Sequence, residues 1–99
     1  MNEDLTSFQV FDRSAEILKV IAHPVRLAII ELLHKKGKSS VTDIYQILDI
    51  EQSVVSYHLK NLRMVNVVIS QRKGTKIYYS IESKGVINIL QNILSLGKE

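Results

Sequence analysis

Cysteine is absent from this chain of 99 residues. Its absence excludes disulfide bonds, thiolate metal ligands and thiol redox chemistry. Long apolar runs are absent too, since no stretch approaches the roughly 18 apolar residues that a membrane-spanning helix needs. The opening residues, MNEDLTSF, lack the basic start and apolar core of a signal peptide. We therefore expect a cytoplasmic protein without a membrane partner.

Recognisable catalytic patterns are absent as well. The sequence contains no glycine-rich phosphate-binding loop and no cysteine nucleophile, and none of its three histidines has a serine and a carboxylate in a catalytic motif. We therefore predict no catalytic residue and no cofactor, and we expect that the chain is not an enzyme.

The charges that are present are unevenly distributed along the chain. The net charge is +3, but residues 1–51 carry six basic and eight acidic side chains, whereas residues 52–99 carry seven basic and two acidic ones. Between Gln52 and Ile81 there is no acidic residue. Five basic residues fall in this stretch: Lys60, Arg63, Arg72, Lys73 and Lys76. A surface of one sign suits binding to a polyanion, although a solvated basic face is the simpler alternative.

The length suits one domain, and we treat residues 1–99 as a single unit. Apolar residues recur at spacings of three and four in five segments, which predicts five helices. The expected bounds of four of them are about 7–21, 24–36, 52–64 and 83–96, and the short third helix carries Ile44, Tyr45, Ile47 and Leu48. Pro24 suits the first turn of the second helix, and Gly37 suits its left-handed end. Ser40 or Thr42 is expected to cap the third helix.

The third and fourth helices are joined by a short turn at Asp49 and so form a helix-turn-helix. The second helix of this motif is built to lie in the major groove of DNA. Four apolar side chains of the fourth helix are expected to point inward: Val54, Val55, Leu59 and Leu62. Five others are expected to point outward: Gln52, Ser53, Ser56, Tyr57 and Lys60.

Two segments rich in β-branched and aromatic residues, 65–70 and 77–81, follow the fourth helix. Gly74 lies between them, which indicates a β-hairpin, and the tip carries three cations, Arg72, Lys73 and Lys76. A basic hairpin directly after a helix-turn-helix is typical of a winged helix, whose wing reaches sugar and phosphate beside the groove. The predicted fold is therefore α+β and mostly helical: a winged helix-turn-helix with four helices, a two-stranded wing and a C-terminal helix.

The last helix is apolar over more than one face. One side can pack against its own domain, but a wide apolar arc leaves surplus surface of the kind that marks a subunit interface. We prefer the interface to packing within one chain.

Two stretches between Leu18 and Ile81 resemble a known family. The first is LKVIAHPVRLAIIELL, and the second is QSVVSYHLKNL followed by VVISQRKGTKIYYSI. Both are similar to the ArsR/SmtB group of bacterial winged-helix repressors. The resemblance implies a homodimer, held by the first and last helices, that binds double-stranded DNA at a pseudo-palindromic operator. The implied interface residues are Phe8, Phe11, Ala15, Val86, Ile89, Leu90, Ile93 and Leu94.

The same resemblance implies a set of DNA contacts. Four residues fall where the family contacts bases and nearby phosphates: Gln52, Ser53, Ser56 and Tyr57, the last in place of a frequent histidine. Four cations would contact phosphates: Lys60, Arg72, Lys73 and Lys76. His58 is either a further phosphate donor or a helix-packing residue, with packing slightly favoured. His23 is expected to cap the second helix, Arg26 to bridge helices, and Arg63 either to bind phosphate or to stabilise its helix end.

Many members of this family sense metals, but their usual ligands are missing here. A cysteine pair of the family would fall at Ser40 and Thr42, and hydroxyls are poor ligands for soft metals. Between Glu82 and Glu99 there is no Asp, Glu, His or Cys to form the other common site. We therefore predict no metal. Three modes of control remain open: a small-molecule inducer, a protein anti-repressor, or control by expression level alone. The alternative function is a winged-helix interaction module that docks an acidic protein partner.

Overall fold

The computed structural model describes residues 7–99, which form five helices and a three-stranded antiparallel sheet. The elements in chain order are α1 (Phe8–Ile21), α2 (Pro24–Lys36), β1 (Ser39–Ser40), α3 (Val41–Leu48), α4 (Gln52–Met64), β2 (Val68–Lys73), β3 (Lys76–Ile81) and α5 (Lys84–Gly97). The predicted winged helix-turn-helix fold is confirmed. The prediction that the chain lacks a signal peptide concerns residues 1–6 above all, and these lie outside the described residues.

The predicted helix ends of α2 and α3 are formed by local hydrogen bonds. The His23 side chain accepts a bond from the Val25 N–H at 3.1 Å, and so caps α2 as expected. Gly37 ends this helix at φ 81° and ψ −162°, a positive-φ conformation that favours glycine but is not the left-handed helical one. Ser40, rather than Thr42, caps α3, because its Oγ accepts from the Asp43 N–H at 3.1 Å.

Two non-glycine residues adopt left-handed backbone conformations at the ends of α3 and α4. Asp49 has φ 56° and is the turn residue of the helix-turn-helix, as predicted. Asn66 has φ 62° and turns the chain out of α4, although the sequence predicted that a strand begins at Val65. The N–H groups of Asn66 and Val67 bond to carbonyls of the last turn of α4, which would otherwise lack partners. The strand therefore begins only at Val68.

The strands of the wing extend closer to its tip than the sequence predicted, and the loop is therefore shorter. Strands β2 and β3 pair from Val68 with Ile81 to Lys73 with Lys76, which leaves a two-residue loop of Gly74 and Thr75. Gly74 has φ 66°, as such a tight hairpin loop requires. Strand β1 pairs with β3 on its other side and was not predicted, since two serines give no apolar alternation.

The core is built around α2, which contacts α3, α4, α5 and β3. The buried apolar side chains are Ile21, Ile29, Ile30, Leu32, Leu33, Ile44, Val55, Leu59, Leu62, Val67, Val68, Val86 and Leu90. The sequence placed Val54 inward, but its residue surface is 36% exposed because it lies at the edge of the buried stripe of α4. Among residues 7–99, no helix combines the length and the apolar character needed to cross a membrane.

Candidate nucleic-acid interface

Helix α4 presents a polar stripe to solvent. Ser53, Tyr57 and Lys60 follow one another at spacings of four and three residues, so they lie along one line of the helix surface, and all three are exposed. The opposite face is buried through Val55 and Leu59, among others. Packing of that apolar face fixes the rotation of α4 about its own axis. The outward side chains are therefore held in position by the core.

A cleft of about 350 Å³ lies between α4, the start of α3 and the wing. Its lining residues are Ser40, Val41, Thr42, Gln52, Ser56, Thr75, Lys76, Ile77 and Tyr79. Two predicted base contacts, Gln52 and Ser56, thus share one cleft with the wing cation Lys76. The hydroxyls of Thr42 and Thr75 were not predicted at this site. No sequence signal could place them there, because the cleft forms only when the wing folds beside the helix-turn-helix.

The wing tip concentrates positive charge. Arg72, Lys73 and Lys76 are all exposed, and Lys73 lies directly opposite Lys76 across the hairpin. Like charges at paired positions of two strands destabilise a hairpin. Within residues 7–99, no carboxylate lies within ion-pair distance of these three side chains. The tip therefore has the electrostatic character that a phosphate backbone would neutralise.

His58 is packed inside the molecule, which contradicts the phosphate contact that was one of its two predicted roles. The residue is 5% exposed, and its Nδ1 accepts a hydrogen bond from Arg26 Nε at 3.0 Å. Burial, together with the nearby His23 and Arg26, lowers the pKa of His58. Its neutral form is favoured, and Nδ1 remains free to accept. Packing, the favoured alternative from the sequence, describes His58 correctly.

Arg26 bridges three helices, as the sequence predicted. Besides its bond to His58 on α4, its Nη1 donates to the backbone oxygen of Val20 in α1 at 2.8 Å. Its Cζ lies 5.9 Å from the ring centroid of Tyr57. The His58 ring lies 4.4 Å from that of His23 and 5.2 Å from that of Tyr57, centroid to centroid. We call His23, Arg26, Tyr57 and His58 the Arg26 cluster.

The predicted dimer surface divides into exposed and buried residues. Phe8, Phe11, Ala15, Ile89 and Ile93 are exposed on α1 and α5, and Leu94 is half-buried. Val86 and Leu90 are 4% and 0% exposed, because that side of α5 packs into the core of its own chain. Their assignment to a subunit interface is therefore wrong.

Other exposed apolar residues of α1 and α5 were not predicted as interface residues, among them Leu18 and Leu96. Leu18 on α1 and Leu96 on α5 are both exposed. Two apolar hollows of about 280 and 260 Å³ lie between α1 and α5, and Leu18 and Ile89 line both of them. We call the exposed set the α1/α5 face: Phe8, Phe11, Ala15, Leu18, Ile89, Ile93 and Leu96.

The residues that could hold a metal are dispersed. In the described part of the chain, no three His, Cys, Asp or Glu side chains form a group that could bind a metal ion. Ser40, at the family's cysteine position, is buried, and its hydroxyl is engaged in capping α3. Thr42 is exposed beside the cleft.

Comparison with known proteins gives consistent matches across the chain. A family model described as a helix-turn-helix domain matches residues 21–71. The transcriptional repressor PagR of Bacillus anthracis is 42% identical over 89 residues, which span 87% of this chain and 89% of that protein. The arsenical resistance operon repressor of Bacillus subtilis is 33% identical over 91 residues, covering 92% of this chain and 87% of the repressor.

Solved structures show the same similarity. The crystal structure of Bacillus anthracis PagR superposes with a TM-score of 0.80 at 40% identity, over 88% of this chain and 99% of PagR. The homodimeric winged helix-turn-helix DNA-binding domain Mb0332 of Mycobacterium bovis, described as a possible ArsR-family regulator, gives a TM-score of 0.80 at 26% identity. That match covers 92% of this chain and 83% of the domain.

Proposed function

This chain belongs to the ArsR/SmtB family of winged helix-turn-helix transcriptional repressors, and we propose that it acts as a homodimer on a pseudo-palindromic operator. The observation that carries the proposal is the shared surface of α4 and the wing. Polar side chains that can read bases and cations that can bind phosphate lie there together, without an acidic residue between Gln52 and Ile81. A repressor acts on the chromosome, so we place this protein in the cytoplasm. We also propose that it has no catalytic role.

We assign base reading to the amino-terminal half of α4. Gln52 can pair in bidentate fashion with adenine, and the hydroxyls of Ser53 and Ser56 can bond to several base edges. Tyr57 offers both a ring and a hydroxyl, and it is 59% exposed. These side chains lie on a helix whose other face is buried, so the helix is held rigidly while they contact the bases.

We assign phosphate binding to Lys60 on α4 and to the wing cations Arg72, Lys73 and Lys76. All four side chains are exposed. Contacts of this kind raise affinity for any duplex and fix the orientation of the protein without reading sequence.

We assign dimerisation to the α1/α5 face. A chain of 11.3 kDa buries a smaller share of its surface than a large domain does, and a partner supplies the missing burial. The Mycobacterium bovis relative is homodimeric, which supports the same assembly here. Two recognition helices would then meet half-sites about 34–36 Å apart, one turn of DNA.

We propose that release from DNA does not use either of the two metal sites that are common in this family. The hydroxyl of Ser40 stands at a cysteine position and is engaged in capping a helix. Helix α5 carries no Asp, Glu, His or Cys between Lys84 and Gly97. Some relatives have metal-linked names, such as the antimony-specific repressor AntR, but this chain lacks donor groups of matching chemistry at these positions.

The experiment that tests the proposal is selection of bound sequences from a random duplex pool. We expect an inverted repeat whose half-site centres are about 10–10.5 base pairs apart. Recovery of sequences without two-fold symmetry would contradict the dimeric arrangement. No duplex binding even at low salt would contradict the repressor and favour an acidic protein partner.

Gln52→Ala should weaken binding to the selected operator by about 1–3 kcal/mol and relax base preference at one position of each half-site. The reason is that alanine removes both bonds to a base edge but leaves phosphate contacts intact. Fluorescence anisotropy against the operator and its single-base variants measures both effects. Gln91→Ala on the polar side of α5 is the matched control, and it should bind like the wild type. Equal losses on operator and random duplex would show that Gln52 does not read bases.

A further inference from the structure

Arg26 connects the helix that reads DNA to a helix that carries the proposed dimer surface. Its guanidinium donates from Nη1 to the Val20 oxygen at 2.8 Å and from Nε to His58 Nδ1 at 3.0 Å. Val20 lies in the last turn of α1, and His58 lies in the middle of α4. One planar group thus holds two helices at fixed positions relative to the start of α2.

The same guanidinium also faces the exposed ring of Tyr57. Its Cζ lies 5.9 Å from the ring centroid, within the range of a cation–π contact, and the His58 ring meets the Tyr57 ring edge-on at 5.2 Å. An exposed tyrosine on a helix otherwise chooses among several side-chain rotamers. Here one side of the ring rests on two groups that are themselves fixed by hydrogen bonds.

We propose that Arg26 is a positioning residue for operator recognition, which holds the Tyr57 ring in the orientation that contacts the DNA. The inference rests on the proposed function, since it assumes that Tyr57 meets the operator. Preorganisation of this kind removes the entropy loss of ordering the ring on binding, and so favours the duplex that fits the fixed orientation.

The chemistry requires arginine rather than another cation. A guanidinium is a planar fork whose nitrogens donate in different directions and whose face can stack on an aromatic ring. A lysine ammonium is a single point of charge at the end of a flexible stem. It cannot occupy the Nη1 and Nε positions at the same time. Neutral His58 completes the arrangement because only its unprotonated Nδ1 can accept from Arg26.

The central test is Arg26→Lys, measured on two probes: the duplex that selection with the wild type recovers, and a shuffled duplex of the same composition. The substitution keeps the charge, so affinity for the shuffled duplex and its salt dependence should not change. The ratio of the two affinities should fall by roughly two- to thirtyfold, the range for substitutions within a coupled network. Circular dichroism and light scattering report whether fold and oligomeric state are retained.

A double-mutant cycle identifies the residue through which Arg26 acts. Tyr57→Ala removes the ring, after which Arg26→Lys should cause little further loss of discrimination. Two variants at His58 separate the hydrogen bond from the packing. His58→Asn keeps an acceptor at the position of Nδ1 and should retain most of the discrimination. His58→Leu keeps the bulk without the acceptor and should lose discrimination as Arg26→Lys does.

Three results would overturn the inference. One is unchanged discrimination in Arg26→Lys. Another is equal loss on both duplexes together with loss of fold or dimer, which would make Arg26 a structural residue only. The third is full additivity of Arg26→Lys and Tyr57→Ala. A wild type that does not discriminate between the two duplexes would instead overturn the proposed function itself, and this inference with it.

Discussion

His58 is the residue whose protonation bears most directly on the packing of α4. Burial and the neighbouring His23 and Arg26 lower its pKa from the ordinary value of 6.5. A proton on Nδ1 would remove the acceptor that Arg26 Nε uses and bring a second positive charge against the guanidinium. The folded state therefore favours neutral His58, whereas in the unfolded chain His58 binds its proton with the ordinary pKa of 6.5.

The free energy of unfolding should consequently fall as the solution is acidified. Because the folded pKa is the lower one, the unfolded chain binds more protons once the pH falls toward 6.5. The contribution of His58 is fully present above this pH and decreases as the pH approaches its folded pKa. Urea unfolding between pH 7.5 and 5 at fixed protein concentration measures the slope. His58→Asn should flatten it.

The matched control for this experiment is His34→Asn. His34 is exposed near the end of α2, so the substitution removes a histidine without disturbing the Arg26 cluster. If His34→Asn flattened the slope as much as His58→Asn, the effect could not be assigned to the buried ring.

At the scale of elements, α5 shows how one apolar arc serves two surfaces. Val86 and Leu90 lie on the side that packs into the core, whereas Ile89, Ile93 and Leu96 lie about a quarter-turn away and stay exposed. A substitution at Leu90 would therefore disturb folding before it could report on assembly. A test of the interface has to use the exposed side of the arc.

Ile93→Glu should convert the proposed dimer into a folded monomer. Two-fold symmetry places the carboxylate in the interface twice, and an unpaired charge in an apolar contact is costly, so dimerisation should weaken at least about a hundredfold. The molar mass measured by light scattering should fall from twice the chain mass to the chain mass of 11.3 kDa. Gln91→Glu adds the same charge on the polar side and should remain dimeric. A folded Ile93→Glu variant that stays dimeric would place the interface elsewhere.

The elements differ in how far the sequence predicted them. Periodicity predicted all five helices, because apolar residues recur in each of them at the spacings of three and four that a helix brings together. It did not predict β1, whose two serines enter the sheet only because β3 offers a free edge. Periodicity also could not tell which apolar residues of α5 are buried in the core and which stay exposed, or that Val54 is partly exposed. Those differences depend on how neighbouring helices pack.

The candidate site was predicted to a similar extent. Residue type and order along the chain indicated the polar stripe of α4 and the cations of the wing. The Arg26 cluster was only partly predictable, since Arg26 and His58 are 32 residues apart and meet through the packing of α2 against α4. The cleft that brings Thr42 and Thr75 beside Gln52 gave no signal, because it involves three separate elements.

At the scale of the whole molecule, the distribution of charge along the chain says more about DNA binding than the net charge does. A net charge of +3 is modest, yet eight of the ten acidic side chains precede Gln52, and residues 52–81, which include the wing, carry none. A dimer would present the basic surface twice on one side. Affinity for duplex DNA should therefore depend strongly on salt despite the small net charge.

The salt dependence of DNA affinity should follow from the number of phosphate contacts. If Lys60, Arg72, Lys73 and Lys76 each neutralise one phosphate in both protomers, log affinity falls with log salt at a slope of about −7. Lys73→Ala removes two of these contacts per dimer, so the slope should become shallower by about 2, equally for operator and random duplex. Lys84→Ala removes the same charge at the start of α5, beyond the base of the wing, and should leave the slope unchanged. Titrations at several salt concentrations measure both variants. If Lys84→Ala changed the slope as much as Lys73→Ala does, net charge rather than the wing would determine the affinity.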